Sequence, residues 1–218
     1  NDHFSNGMET SLTFPKLLVP FLYTRGPSTF QSATNFQASY DYHGRPEFSR
    51  DIFSFEWGYS WHSHYTPAYK HHLKVLDLNF LHFAYINESF RKSMPLITQI
   101  LNYRDQFVLG ASYLFRYNSL NDYRLSSSPW VHNLRLYLQS SGAMLYGLSQ
   151  LTNRERDSYG SYRLFGTNFA QFVKGEFDYS GLRKLSEGNS FAYHLGLALA
   201  VPYGNSQFVP VDLRYFAG

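Results

Sequence analysis

Residues that could do acid–base chemistry lie on two successive segments of the chain. His194 falls on the small-residue side of an alternating segment, and Glu176 and Asp178 alternate onto one side of the segment before it. A His–carboxylate pair could serve a hydrolase that also has an activated serine. No serine stands in a Gly-x-Ser-x-Gly turn, the usual setting of such a nucleophile. We therefore expect no enzyme activity, and we interpret the charges as partners of one another across a wet interior. The set is Arg116, Arg135, Lys174, Glu176 and Asp178.

Histidines form the second candidate site, because His62, His64, His71 and His72 lie close together in the sequence. His62 and His64 would share one face of a strand. No cysteine or carboxylate stands near them at the spacing that a metal site needs. We expect histidines at the rim of a sheet, with no metal and no cofactor.

The element that must position His194 is a long strand. Phe191, Tyr193, Leu195, Leu197, Leu199 and Val201 alternate with Ala192, His194, Gly196, Ala198 and Ala200. Alternation of this length predicts a β-strand with one apolar face and one face of small residues. A soluble β-sandwich would need a second sheet to cover the apolar face, whereas a membrane β-barrel needs only lipid.

The same alternation recurs along the chain and predicts about eight antiparallel strands. In the third strand, Trp57, Tyr59 and Trp61 lie near the strand end, where an interfacial aromatic girdle would sit. The connections after the fourth and sixth strands, near residues 87–102 and 142–165, are long, and the first of them suggests one short helix. The predicted strands are approximately Met8–Phe14, Phe30–Tyr42, Phe53–His62, His72–Ala84, Phe107–Asn118, Asn133–Gln139, Phe169–Tyr179 and Phe191–Val201.

Composition supports a barrel rather than a helical membrane protein. The 218 residues include 19 Tyr and 20 Phe, yet the mean hydropathy is negative. No run approaches the roughly 18 apolar residues of a membrane helix. There is no cysteine, and the net charge of +3 is scattered, so we expect no disulfide framework and no nucleic-acid partner. The first residues have no signal-peptide pattern, so we expect an internal section of a longer polypeptide.

The segment SQFVPVDLRYFAG carries a resemblance to a known family, through Pro210, Arg214, Tyr215, Phe216, Ala217 and Gly218. It resembles the start of the inward-folding loop of the BamA/TamA-like outer-membrane protein assembly superfamily. TSLTFPKLLVPF and YDYHGRPEFSRDIFSFEWGYSW are similar to other parts of a TamA-like barrel, in the same order. The sequence ends before the Arg-bearing loop tip for which the family is known.

The resemblance implies an all-β fold, in which residues 1–218 form a central section of a transmembrane antiparallel barrel of roughly sixteen strands. It implies a location in the outer membrane of a Gram-negative bacterium and a function in inserting outer-membrane proteins or translocating substrates. The expected partners are the lipid bilayer, unfolded outer-membrane protein substrates and accessory envelope lipoproteins. A passive channel or transporter barrel is the alternative, and a soluble sandwich is the third possibility.

The last strand also suggests where the loop would lie. Gly196, Ala198 and Ala200 leave space beside the barrel wall for a segment that folds inward. Arg214 would then reach Glu176 or Asp178, while Tyr215 and Phe216 would wedge the loop in place. Pro210 and Gly218 complete this loop base.

Overall fold

The structure, a computed structural model, describes residues 3–18, 30–96, 98–99, 103–125, 127–152, 162–164, 167–210 and 213–215. These residues form an open antiparallel sheet of eight long strands, and two short strands pair separately. The all-β class that alternation predicts is confirmed. The eight strands are β1 (Phe4–Phe14), β2 (Phe30–Gly44), β3 (Phe48–Ser63), β4 (Tyr69–Ile86), β5 (Gln106–Asn118), β6 (Trp130–Ser141), β9 (Phe172–Ser186) and β10 (Asn189–Pro202).

Every strand of the sheet pairs with its predecessor along the chain, and β9 follows β6 across an insertion that holds the short strands β7 (Arg163–Leu164) and β8 (Thr167–Asn168). The last hairpin turns through Glu187 and Gly188, and Gly188 has φ +88°, a backbone conformation that favours glycine. β1 and β10 form the two edges of the sheet. Such a meander brings residues that are distant in sequence onto common faces.

One face of the sheet is apolar over most of its area and largely uncovered. In β10, Leu197 and Leu199 are 62% and 66% exposed. The apolar face continues across the sheet through pairs such as Leu197 with Phe177 and Phe36 with Trp57. The opposite face, called the polar face below, carries Glu56, Lys74, Asp77, Arg116, Arg135, Lys174, Glu176, Asp178 and His194.

β4 has an irregular pattern because its register shifts. Against β3, Trp57 pairs with Leu76 and Gly58 pairs with Lys74, so Val75 is an extra residue. A β-bulge of this kind places two residues opposite one and breaks the strict alternation. As a result, Lys74 and Asp77 lie on the same face although they are three residues apart. The bulge explains why the fourth strand is the least regular in the sequence.

In the described parts of the long connections, two α-helices can be given bounds. α1 (Glu88–Ser93) begins at Asn87, whose side chain accepts hydrogen bonds from the amides of Ser89 and Phe90. α2 (Ala143–Leu151) follows β6 directly, after Gly142 at φ +77°. The sequence suggests the first helix and misses the second. Among the described residues, no helix has both the length and the apolar character needed to cross a membrane.

Candidate functional site

The candidate site is the part of the polar face formed by β6, β9 and β10. Arg135 Nη1 lies 2.5 Å from Glu176 Oε2 and 3.0 Å from Asp178 Oδ2. His194 Nε2 lies 3.4 Å from Asp178 Oδ1, and Lys174 Nζ lies 3.9 Å from Glu176 Oε1. Register sets these contacts, because Arg135 pairs directly with Asp178 and Asp178 pairs with Gly196. Four of the five charges that we expect to pair therefore do so.

Arg116 is the exception in that set. It is opposite Arg135 in β6 and opposite Lys70 in β4. In the part of the chain that the structure describes, no carboxylate lies within ion-pair distance of Arg116. The expectation that it joins the charge ladder is wrong, because the register gives it only cationic neighbours on the two adjoining strands.

The described residues after β10, 203–210 and 213–215, form a terminal segment that folds back over the polar face. Val209 is buried against Phe172 and Val108, and Leu213 and Ala200 pack against the same cluster. Phe172 is fully buried. The small side chain of Ala200 leaves room for this packing, so the terminal segment lies on the side of β10 that carries the small residues.

Tyr215 makes the polar contact between this segment and the sheet. Its hydroxyl donates a hydrogen bond of 2.7 Å to Glu176 Oε1, and Lys174 Nζ lies 4.5 Å from the centre of its ring. Burial raises the pKa of Tyr215 above its ordinary value, and the hydrogen bond to the Glu176 carboxylate raises it further. Both effects disfavour the phenolate form.

Arg214 does not have the role that we expect from the sequence. Its Nε donates a hydrogen bond of 2.8 Å to the carbonyl oxygen of Val209, within the segment itself. The Pro210 carbonyl accepts a hydrogen bond of 2.9 Å from the Leu213 amide, which closes a local turn. Arg214 therefore shapes the segment, while its neighbour Tyr215 reaches the carboxylate. Phe216 and Gly218 lie outside the described residues.

Asn205 anchors the start of the same segment, and sequence reasoning misses it. Its Oδ1 accepts from the Tyr162 amide at 2.6 Å, and its Nδ2 donates to the carbonyls of Tyr162 and Phe169, both at 3.1 Å. Its own amide donates to Gln171 Oε1 at 2.7 Å. The signal in the sequence is the turn pair Gly204–Asn205 directly after a strand. In the structure, Gly204 has φ +55°.

A second charge network lies on β3 and β4. Lys74 Nζ is 2.6 Å from Glu56 Oε2 and 3.9 Å from Asp77 Oδ2, and His72 Nε2 is 3.4 Å from Glu56 Oε1. The bulge at Val75 is what brings Lys74 and Asp77 onto one face. This network holds the two carboxylates, Glu56 and Asp77, that β3 and β4 place on the polar face.

The aromatic residues of β3 lie on the apolar face. Trp57 stacks on Phe36 with ring centres 6.0 Å apart, and Trp61 stacks on His71 at 5.1 Å. Tyr59 is buried, and its hydroxyl donates to the carbonyl of Leu18 at 2.7 Å. The residues before the β1–β2 connection thus cover Tyr59. A residue of an aromatic girdle would instead be exposed at the membrane–water interface.

The histidines near the β3–β4 turn separate onto two faces. His62 and His72 lie on the polar face, whereas the ring of His71 on the apolar face is 2.8 Å from the hydroxyl of Tyr113. Among the described residues, no group of three or more His, Cys, Asp or Glu side chains could hold a metal ion.

A hydrolytic arrangement is incomplete in this geometry. Ser180 is opposite His194 in the register, and His194 contacts Asp178. Within the described chain, however, Ser180 and His194 form no side-chain hydrogen bond, which a serine nucleophile and its base require.

No protein-family profile, curated protein or solved structure matches this chain.

Proposed function

We propose that this chain is part of the wall of a transmembrane β-barrel in the outer membrane of a Gram-negative bacterium. The apolar face supports this proposal, since large side chains such as Leu197 and Leu199 lie uncovered on a long strand. In a bilayer, lipid would cover them. The barrel would have roughly sixteen strands, of which the sheet described here supplies eight.

The barrel would belong to the BamA/TamA-like superfamily and would aid the insertion of outer-membrane proteins or the export of substrates. The observation that carries this proposal is the terminal segment folded over the polar face, with Val209 and Leu213 packed on Phe172 and Tyr215 bonded to Glu176. A segment that returns to the inner side of the wall is what the resemblance of SQFVPVDLRYFAG implies. The partners would be unfolded outer-membrane proteins and accessory envelope lipoproteins.

A passive channel is the second candidate. It is favoured by the part of the polar face that the terminal segment leaves open, where Lys70, Arg116 and His194 are exposed. A polar lumen lined by charges suits solute passage as well as it suits assembly.

Depletion of the protein from its host distinguishes the two functions. If it assembles other barrels, depletion lowers the amounts of many outer-membrane proteins, which quantitative proteomics of the membrane fraction measures. If it is a channel, uptake of one class of solute falls while the other barrels stay at normal levels. Unboiled samples that migrate like boiled ones in gel electrophoresis would contradict the barrel itself.

A further inference from the structure

A row of cations crosses the polar face at right angles to the strands. The register places His62 opposite Lys70, Lys70 opposite Arg116, and Arg116 opposite Arg135. Residues directly opposite each other in an antiparallel pair have Cβ atoms about 5 Å apart. Three formal positive charges, on β4, β5 and β6, therefore stand side by side, with an imidazole next to them on β3.

The members of this row differ in their counter-charges. Arg135 contacts Glu176 and Asp178 on the β9 side. Lys70 and Arg116 are exposed, and within the described part of the chain neither forms an ion pair.

Other carboxylates of the polar face contact cations that are not Lys70 or Arg116. Glu56 contacts Lys74 and His72, and Asp178 contacts Arg135. Among the described residues, neither carboxylate forms an ion pair with Lys70 or Arg116, the two members of the row that the proposal uses.

This arrangement costs folding free energy, because like charges directly opposite each other in a sheet repel. A bound anion would attract both cations and so offset the repulsion between them. A guanidinium binds two oxygens of an oxyanion in its fork, and an ammonium adds a compact positive charge beside it. We propose that Lys70 and Arg116, flanked by His62, bind the oxyanion of a phosphate-bearing ligand on the polar face. The site requires only that this face is open to solvent, so it does not depend on the assembly function.

Calorimetric titration of the folded protein in uncharged detergent micelles with inorganic phosphate tests the site. We expect the unsubstituted protein to bind phosphate and the variants Lys70→Gln and Arg116→Gln to bind it about tenfold more weakly or worse, since each loses a charge-assisted hydrogen bond. Arg116→Lys keeps the charge but not the fork, so its affinity should lie between. Lys184→Gln removes an exposed cation from the same face away from the row and should leave phosphate affinity unchanged.

Thermal unfolding of the variants without phosphate shows whether weaker phosphate binding results from a folding defect. Removing one of two repelling cations should leave the unfolding midpoint of Lys70→Gln and Arg116→Gln unchanged or raise it. The proposal is overturned if the unsubstituted protein binds no phosphate, if all variants bind it equally, or if both Gln variants unfold at lower temperature without phosphate.

Lipid discs then identify the source of the phosphate group. If discs of phosphatidylglycerol block phosphate binding while discs of phosphatidylcholine do not, the ligand is an anionic lipid headgroup. If phosphate binds equally in both, the site takes a free phosphate compound.

Discussion

Replacing Tyr215 with Phe should loosen the terminal segment without unfolding the sheet. The substitution removes one hydrogen bond, of 2.7 Å, to the Glu176 carboxylate. A hydrogen bond to a charged group contributes about 1.5–3 kcal/mol. Because Tyr215 is 38% exposed, water replaces part of this contribution, and we expect a loss near the lower limit, about 1.5 kcal/mol. That loss corresponds to a roughly tenfold larger population of the released segment.

Hydrogen–deuterium exchange measures this population directly. The Leu213 amide is bonded to the Pro210 carbonyl at 2.9 Å, and it should be protected while the segment is docked. In Tyr215→Phe, exchange in peptides that cover residues 206–215 should be about tenfold faster, while exchange in β9 stays unchanged. Tyr203→Phe is the matched control, because Tyr203 lies in the turn after β10 and takes no part in the contact with Glu176.

A double-mutant cycle isolates the contact. The effects of Tyr215→Phe and Glu176→Gln on exchange in residues 206–215 should be coupled. In the Tyr215→Phe background, Glu176→Gln should increase this exchange little further. Arg214→Ala should add its effect to that of Glu176→Gln without coupling, because Arg214 bonds to the Val209 carbonyl instead. Coupling of Glu176 to Arg214 and not to Tyr215 would refute our account of how the segment is held.

Three further predictions concern the face, the anchor and the pH. Leu197→Arg on the apolar face should destabilise the protein in a bilayer by about 2–4 kcal/mol, whereas Ala198→Arg on the opposite face should cost much less; equal costs in equilibrium unfolding would contradict lipid contact. Asn205→Ala should cost about 2–4 kcal/mol in chemical denaturation, because it leaves a buried amide and two carbonyls without their partner, and a loss under about 0.5 kcal/mol would exclude an anchor. The pKa of Tyr215 is raised on folding. The protonated hydroxyl therefore stabilises the docked segment fully below the ordinary tyrosine pKa of about 10, and this stabilisation is lost as the pH rises through the folded pKa. Exchange in residues 206–215, corrected for intrinsic rates, should be constant from about pH 6 to 9, and a rise within that range would contradict the hydrogen bond.

Strand faces could be predicted from the sequence, because side-chain direction alternates strictly within each strand. Parity alone predicts that Arg135, Glu176 and Asp178 share one face of the sheet, and the structure brings them together. β4 departs from the pattern, since the extra residue at Val75 changes the parity of the residues after it, up to a second register shift at Ala84. A single bulged residue leaves no local signature in a strand rich in apolar side chains.

Contacts between distant segments could not be predicted in the same way. Whether Arg214 or its neighbour Tyr215 reaches Glu176 depends on the local turn closed by Pro210 and Leu213, not on residue type. The cationic row depends on the register of four strands, and the sequence does not show that Lys70 is opposite Arg116. Asn205 contacts residues more than thirty positions earlier in the chain.

The meander order of the sheet has a consequence for the kinetics of folding. From β1 to β6 each strand pairs with the next along the chain, as do β9 and β10, so strands can add one at a time; only the pairing of β9 with β6 closes a long insertion. The terminal segment is different, because Val209 and Leu213 pack on Val108 in β5 and Phe172 in β9 together. The segment can dock only after β5, β6 and β9 are side by side. Its docking is therefore a late step in folding. The time at which the Leu213 amide becomes protected during refolding would report when β5, β6 and β9 have assembled.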